Sequence, residues 1–212
     1  MPLPERPASI GRRPVHLRNI WMRGYHRQDG LYEIEGRVSD SKDLGFTPPA
    51  GDRQVAPGEF VHDMWVRIAV DTDLVIREIE SVSDSTPYPV CLEGGVNLER
   101  MIGARIAAGW NNEVKRRLAG SAACTHIMEL LIPMGTAAFQ TIAEVRLARP
   151  PKLDPSGKPL KVDSCTAYSA ERGLVGLHYP QFYTGQQDAD SQRADALFAE
   201  ARRTGRVTAP ES

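Results

Sequence analysis

The sequence predicts an α+β fold, an antiparallel sheet of hairpins with helices packed on one of its faces, and three observations carry that expectation. The first third alternates apolar and polar residues in short runs, the signature of half-buried strands. From Leu98 onward the apolar period lengthens to about four, as on a helix with one buried stripe. The two patterns occupy separate blocks, hairpins first and helices after, an order that places helices on one side of an antiparallel sheet.

In order, residues 1–13 are rich in Pro and Arg and read as a flexible arm. "VHLRNIWMRGYHRQ" and "LYEIEGRV" flank Asp29-Gly30, a strong hairpin turn signal, and Tyr32, Ile34 and Val38 alternate with Glu33, Glu35 and Arg37. The stretch 39–59, with three prolines, reads as a long loop of the kind used for lids or binding. In the next strand Phe60, His62, Met64, Val66, Ile68 and Val70 share one face, and Asp63, Trp65, Arg67 and Ala69 the other. "DTD" at 71–73 turns the chain into "LVIREIESV".

A Pro/Gly-punctuated loop holding Cys91 leads into Leu98, Ile102, Ile106, Trp110, Val114 and Leu118, split by Gly103 and Gly109 into two short helices. Gly120 closes the second, with Lys115, Arg116 and Arg117 at its negative end. A third helical region opens at Cys124 and is kinked or restarted near Pro133. After the Pro-rich connector 149–159, "LKVDSCTAYS" and "LVGLHYPQFY" read as a terminal hairpin, and 186–212 as a polar helix and tail. The boundaries are then an arm over 1–13, a single α+β domain over 14–185 and the polar segment 186–212.

Composition narrows the function classes. With a net charge of −1, the 212-residue chain gives no electrostatic reason to expect nucleic acid or an anionic membrane as partner. The N-terminus lacks the apolar core of a secretory signal, and no window has the roughly 18 apolar residues of a membrane helix. Three widely spaced cysteines form no disulfide framework, which fits a reducing cytoplasm. Trp21 and Trp65 on strand faces point to self-association into a homo-oligomer or to a covering element.

The chemistry concentrates in "CTHIMEL", residues 124–130. At a helix start the Cys124 sulfur lies near unpaired backbone N–H groups, which favour thiolate. His126 is two residues on, and Glu129 shares its helical face. Thiolate and imidazole are ligands of Zn²⁺ or Fe, and a neighbouring carboxylate is the usual acid/base. His62, at the core-facing end of its strand, and Cys91, on its rigid loop, would complete the set, with Asp63 orienting a ligand. Each residue also has a plain reading, a packed cysteine or a core histidine with a hydrogen-bonding partner. Cys165, His178 and Tyr179 are candidates to line a substrate, or are ordinary hairpin packing.

The run from "FVHDMWVRIAVDTDLVIREIES" through Cys91 and "LERMIGARI" to "CTHIMELLIPMGTAAFQTIAE", residues 60–145, resembles the iron–sulfur scaffold proteins of the IscU/NifU type. The resemblance implies an IscU/NifU-like core with N- and C-terminal hairpins added. Cys91 and Cys124 match the scaffold's second and third cysteines, and His62 falls where its aspartate lies. Phe60 stands at the first cysteine, a departure that favours a mononuclear Cys/His site over a cluster. The segments "RGYHRQDGLYEIEGRVSDSK", "HDMWVRI", "CTHIMELL" and "DSCTAYS…HYP" also resemble a bacterial family catalogued as a domain of unknown function, and imply a place in aromatic-acid or acyl-thioester catabolism.

The expectation is a metal-dependent enzyme, hydrolase or lyase, acting on a small organic substrate. Its metal is Zn²⁺ first and Fe second, held by His62, Cys91, Cys124 and His126, with Glu129 as acid/base. The alternatives are a non-enzymatic metal or iron–sulfur handling protein and a structural zinc protein.

Overall fold

Period-two alternation and tight turns build the front half of the molecule. The computed structural model describes residues 11–49, 53–185, 196, 199–200 and 203–204. The remainder of the expected arm 1–13 and tail 186–212 lies outside the described residues. Strands β1 (Leu17–His26), β2 (Tyr32–Ser41), β3 (Phe60–Val70) and β4 (Ile76–Ser85) form one antiparallel sheet in the order β1-β2-β3-β4. The first hairpin closes where Leu31 accepts from the Arg27 N–H and the Asp29 carboxylate accepts from the Leu31 N–H, with Gly30 at φ 87°. Asp71 closes the β3–β4 turn by accepting from the N–H groups of Asp73 and Val75. Leu74 takes a left-handed φ of 63° there, with its side chain 1 % exposed. Burial of that side chain offsets the backbone strain.

After a 3₁₀ turn at Pro89–Gly95 and another at Leu98–Met101, the chain forms α1 (Trp110–Leu118), α2 (Thr125–Thr141) and α3 (Ala143–Leu147). The stretch between the second turn and α1 is not helical as expected. It runs beside the β3–β4 turn, with Val75 and Arg105 in an isolated bridge and Ile76, Gly103 and Ile106 in backbone hydrogen bonds to it. Ile102 consequently leaves the apolar stripe and is exposed, while Met101, Ala104 and Ile106 are buried.

Helix α2 packs across β1, β2 and β3 with Ile127, Leu130, Leu131, Met134, Gly135 and Ala138, residues recurring every three or four positions. A Cβ at Gly36 would lie 3.1 Å from Met134 Sδ, so the glycine lets the helix approach the sheet. Gly135 does the same for α1: a Cβ there would meet Trp110 Cδ1 at 2.6 Å, and the Trp110 indole donates to the Leu131 carbonyl at 2.9 Å. Pro133 stays inside α2 rather than restarting it.

One strand-face assignment is corrected. Phe60 pairs with Ser41 and His62 with Asp40, so Val61 is an extra residue and β3 carries a bulge. The bulge moves Phe60 to the face opposite α2, where it lines a cavity of about 300 Å³ with Asn19, Trp21, Arg37, Ser39 and Trp65. His62 keeps the helix side.

By its contacts the chain divides into two compact units, residues 1–146 and 147–212. The sequence reading drew one domain over 14–185. The division falls between Arg146 and Leu147, just before the proline-rich 149–159 stretch, whose four prolines lack backbone donors. In the second unit the expected hairpin is replaced by 3₁₀ turns at Thr166–Tyr168 and Pro180–Phe182 around α4 (Gly173–His178). Val175 is fully buried there, but Gly173, Gly176 and Pro180 interrupt any strand alternation. No helix among the described residues is long and apolar enough to cross a membrane.

Candidate functional site

Strand register assembles the site before any helix is added. Arg18 pairs with Asp40, and Asp40 pairs with His62, so the three side chains form one row across β1, β2 and β3. Directly opposed residues share a face with their Cβ atoms about 4.5–5.5 Å apart. That face is the one on which Val38 and Met64, the next row, enter the core beneath α2. The N-terminus of α2 closes over the row. Cys124 is its N-cap residue, and His126 lies in its first turn. The turn at Pro89–Gly95 abuts this point through Gly94, whose carbonyl accepts from the Cys124 N–H at 3.0 Å. A Cβ on Gly94 would lie 2.5 Å from that of Cys124.

Asp40, His62 and His126 each offer one ligand atom, and these atoms lie within 4.8 Å of one another. His62 Nδ1 is 3.1 Å from Asp40 Oδ2, and His126 Nε2 is 3.9 Å from the same oxygen. The two imidazole rings are tilted by 33° with their centroids 3.8 Å apart. Arg18 donates from Nε to Asp40 Oδ1 at 2.7 Å and from Nη2 to Oδ2 at 2.8 Å. His16 Nε2 lies 3.3 Å from Oδ1. Cys124 Sγ borders the group, 3.8 Å from His126 Nδ1 and 3.9 Å from Met64 Sδ.

Burial and charge set the protonation of the group. Asp40 is 2 % exposed, and burial alone would raise its pKa. The Arg18 hydrogen bonds and charge, with His62 and His16, outweigh burial and hold it below the ordinary 3.8. Burial lowers the His62 pKa below 6.5, reinforced by His126 and opposed by Asp40. For Cys124 burial works against thiolate, but the His126 hydrogen bond and the N–H groups of Ile127 and His126 prevail, and the pKa falls below 9.0. The site is therefore a buried carboxylate, a neutral imidazole and an acidified thiol.

Not every residue singled out in the sequence is in this group. His62, His126 and Cys124 meet. Cys91 is half-buried in its 3₁₀ turn, three residues before Gly94, and is not part of the Asp40–His62–His126 group. Glu129 is exposed and touches the row through Arg18, whose Nη1 is 3.4 Å from Oε2. Asp63 projects to the opposite face of the sheet, where Arg37 grips it with bonds of 2.7 and 2.6 Å. Cys165, His178 and Tyr179 belong to the second unit. Cys165 is exposed beside the Thr166–Tyr168 turn, and the His178 and Tyr179 rings lie 6.3 Å apart at the end of α4.

Three contributors were missed by sequence reasoning: Asp40, Arg18 and His16. Asp40 sits in "VSDSK", read as the start of a loop, yet it continues the buried parity of Ile34, Gly36 and Val38. An acid on a core-facing strand position was the available signal.

No curated protein and no solved structure matches the chain. Residues 16–140 match the family described as Protein of unknown function (DUF2889). That match starts at His16, contains Arg18, Asp40, His62, Cys124 and His126, and ends within α2, and the chain belongs to this family.

Proposed function

We propose that the chain is a metal-dependent enzyme of the hydrolase or lyase type, acting on a small organic substrate at the Asp40–His62–His126 group. The observation that carries the reading is the convergence of one carboxylate and two imidazoles, drawn from three separate elements, on a space small enough for one ion. Their donor chemistry fits: oxygen and imidazole nitrogen suit Zn²⁺ or Fe(II), and two histidines with one carboxylate leave coordination positions free for a substrate. Cys124 borders the group through His126, 3.8 Å from its Nδ1, without being one of the three. The partial exposure of the His62 and His126 side chains, at 16 % and 22 %, supports an open site rather than a closed structural one.

An ion bound there would act as a Lewis acid toward a substrate oxygen. The chain's own residues do the rest. Asp40 and His62 fix each other's orientation through the 3.1 Å contact. Glu129 remains at the edge as the carboxylate for proton transfer, one helical turn beyond His126. A small organic acid or acyl thioester is the substrate class implied by the catabolic resemblance.

A second reading is a metal or iron–sulfur handling protein of the IscU/NifU type, supported by an antiparallel sheet followed by a helix opening on Cys124. That Cys91 is not one of the Asp40–His62–His126 group speaks against it, since a cluster needs more than one thiolate.

Metal analysis and visible spectra of anaerobically purified protein test the proposal. About one zinc or iron per chain is expected, lost in Asp40→Asn and His126→Ala. A panel of ester and thioester substrates would then show turnover that falls with the metal. Metal-free protein that takes up neither ion would refute the reading.

A further inference from the structure

We propose that the ligand of this site carries a carboxylate and that Arg18 receives it; the inference rests on the metal reading above. A carboxylate group has about four lone-pair sites. Asp40 takes three side-chain hydrogen bonds within the protein, from Arg18 Nε on Oδ1 and from Arg18 Nη2 and His62 on Oδ2, and His16 Nε2 lies a further 3.3 Å from Oδ1. A divalent cation held at Oδ2, the oxygen that both imidazoles approach, therefore competes for it with Arg18 Nη2, 2.8 Å away. His62 is itself one of the ligands. The displaceable donor is Arg18, 36 % exposed and on the solvent side of the row.

Arg18 so released stays tethered to β1 opposite Asp40. Its guanidinium then lies beside the cation with a planar pair of N–H groups unsatisfied. Counted together, a divalent ion, Arg18 and Asp40 leave a positive charge at the mouth of the site that Glu129, beside Arg18, offsets only in part. An anion that meets Arg18 edge-on and lies against the cation relieves both the charge and the lost hydrogen bonds. The chain already shows which anion fits. The Glu129 carboxylate rests 3.4 Å from Arg18 Nη1, an exposed and loosely bound occupant of the place a ligand carboxylate would take. On this reading Glu129 is a placeholder for the ligand and Arg18 a binding residue.

The test uses the full chain loaded with Co²⁺, whose visible absorption reports on ligands near the ion. Benzoate is titrated in, with benzamide as its uncharged counterpart and inorganic phosphate as a different anion. Benzoate is expected to perturb the spectrum and benzamide to leave it unchanged, with phosphate at least tenfold weaker. Arg18→Ala should bind Co²⁺ at least as tightly as wild type, because Asp40 is freed, yet bind benzoate at least tenfold more weakly. Glu129→Gln should strengthen benzoate severalfold. Arg18→Lys, which keeps the charge and loses the fork, should weaken benzoate at least threefold and serves if the alanine variant does not fold. Wild-type benzoate affinity in the Arg18 variants, or benzamide or phosphate binding as well as benzoate, overturns the proposal. Co²⁺ binding with no response to benzoate defeats it alone. Failure of the wild type to bind Co²⁺ defeats the metal reading and this inference together.

Discussion

His62 and His126 face each other with ring centroids 3.8 Å apart, although one lies near the start of β3 and the other in the first turn of α2, 64 residues further along the chain. Two imidazoles that close cannot both be protonated without mutual repulsion, and both are directed at the same Asp40 oxygen. Binding of one cation would convert this contact into a shared ligand set.

Metal should stabilise the fold through that set. Ion present at one hundred times its dissociation constant contributes about 2.7 kcal/mol by mass action. A melting temperature that rises with added Zn²⁺ in wild type is expected, and no rise in His62→Ala or His126→Ala. Cys91→Ser should behave as wild type in the same titration. Loss of the zinc effect in that variant would bring Cys91 into the site.

Without metal, acid should weaken the protein in two stages. The folded His62 pKa lies below the ordinary 6.5 because burial disfavours the cation, so the unfolded chain takes up that proton first. Stability is thus present above pH 6.5 and is lost as pH falls from there toward the folded pKa. Asp40, held below 3.8, adds a second loss as pH drops under that value. Melting curves in chelator between pH 7.5 and 5 should fall less steeply for His62→Gln than for wild type. Parallel curves would remove His62 as the cause.

Cys124 should be more acidic than an ordinary cysteine. Its midpoint for alkylation by iodoacetamide is expected below 9.0 in metal-free protein and to move upward in His126→Ala, which removes the largest stabiliser of the thiolate. Peptide mapping of the alkylated protein across pH reads this directly. An unchanged midpoint in the variant would assign the shift to the helix amides instead.

The Arg37–Asp63 pair is expected to matter for folding and not for metal. Asp63 is 8 % exposed and Arg37 33 %, so the pair is partly solvated. Asp63→Ala should destabilise by about 2 kcal/mol, less than the 3–5 kcal/mol of breaking a wholly buried pair. Its metal content should equal wild type, because the side chain lies on the far face of the sheet. A loss of metal comparable to that in His62→Ala would contradict the strand geometry.

Helix packing supplies a control far from the site chemistry. Gly135→Ala would drive a methyl against the Trp110 ring, already hydrogen-bonded to Leu131. Overpacking of this kind costs about 1–3 kcal/mol. Denaturant melts of that variant with and without Zn²⁺ should show lower stability and an unaltered metal increment.

Much of the fold was legible because strands and turns are local. Alternation placed β2 and β3, the turn at 71–73 led into β4, Asp29-Gly30 marked the first turn, and parity put His62 on the helix side and Asp63 on the other. Phe60 was misplaced because one added residue, Val61, inverts the parity at the end of a strand, and no residue type announces a bulge. The terminal hairpin failed for a related reason. Its apolar residues are few and broken by Gly173, Gly176 and Pro180, and local helical turns satisfied the backbone instead.

By itself the sequence determined the residues able to carry chemistry and, through period and parity, the face on which most of them stand. Only the tertiary structure decided which of them meet. Cross-strand register, set by backbone hydrogen bonds between residues far apart in the chain, aligned Arg18, Asp40 and His62 in one row. The docking of α2 on Gly36 and its neighbours then brought Cys124 and His126 over that row while leaving Cys91 and Glu129 out of the Asp40–His62–His126 group. Such meetings depend on packing between distant segments, and a linear pattern holds no record of them.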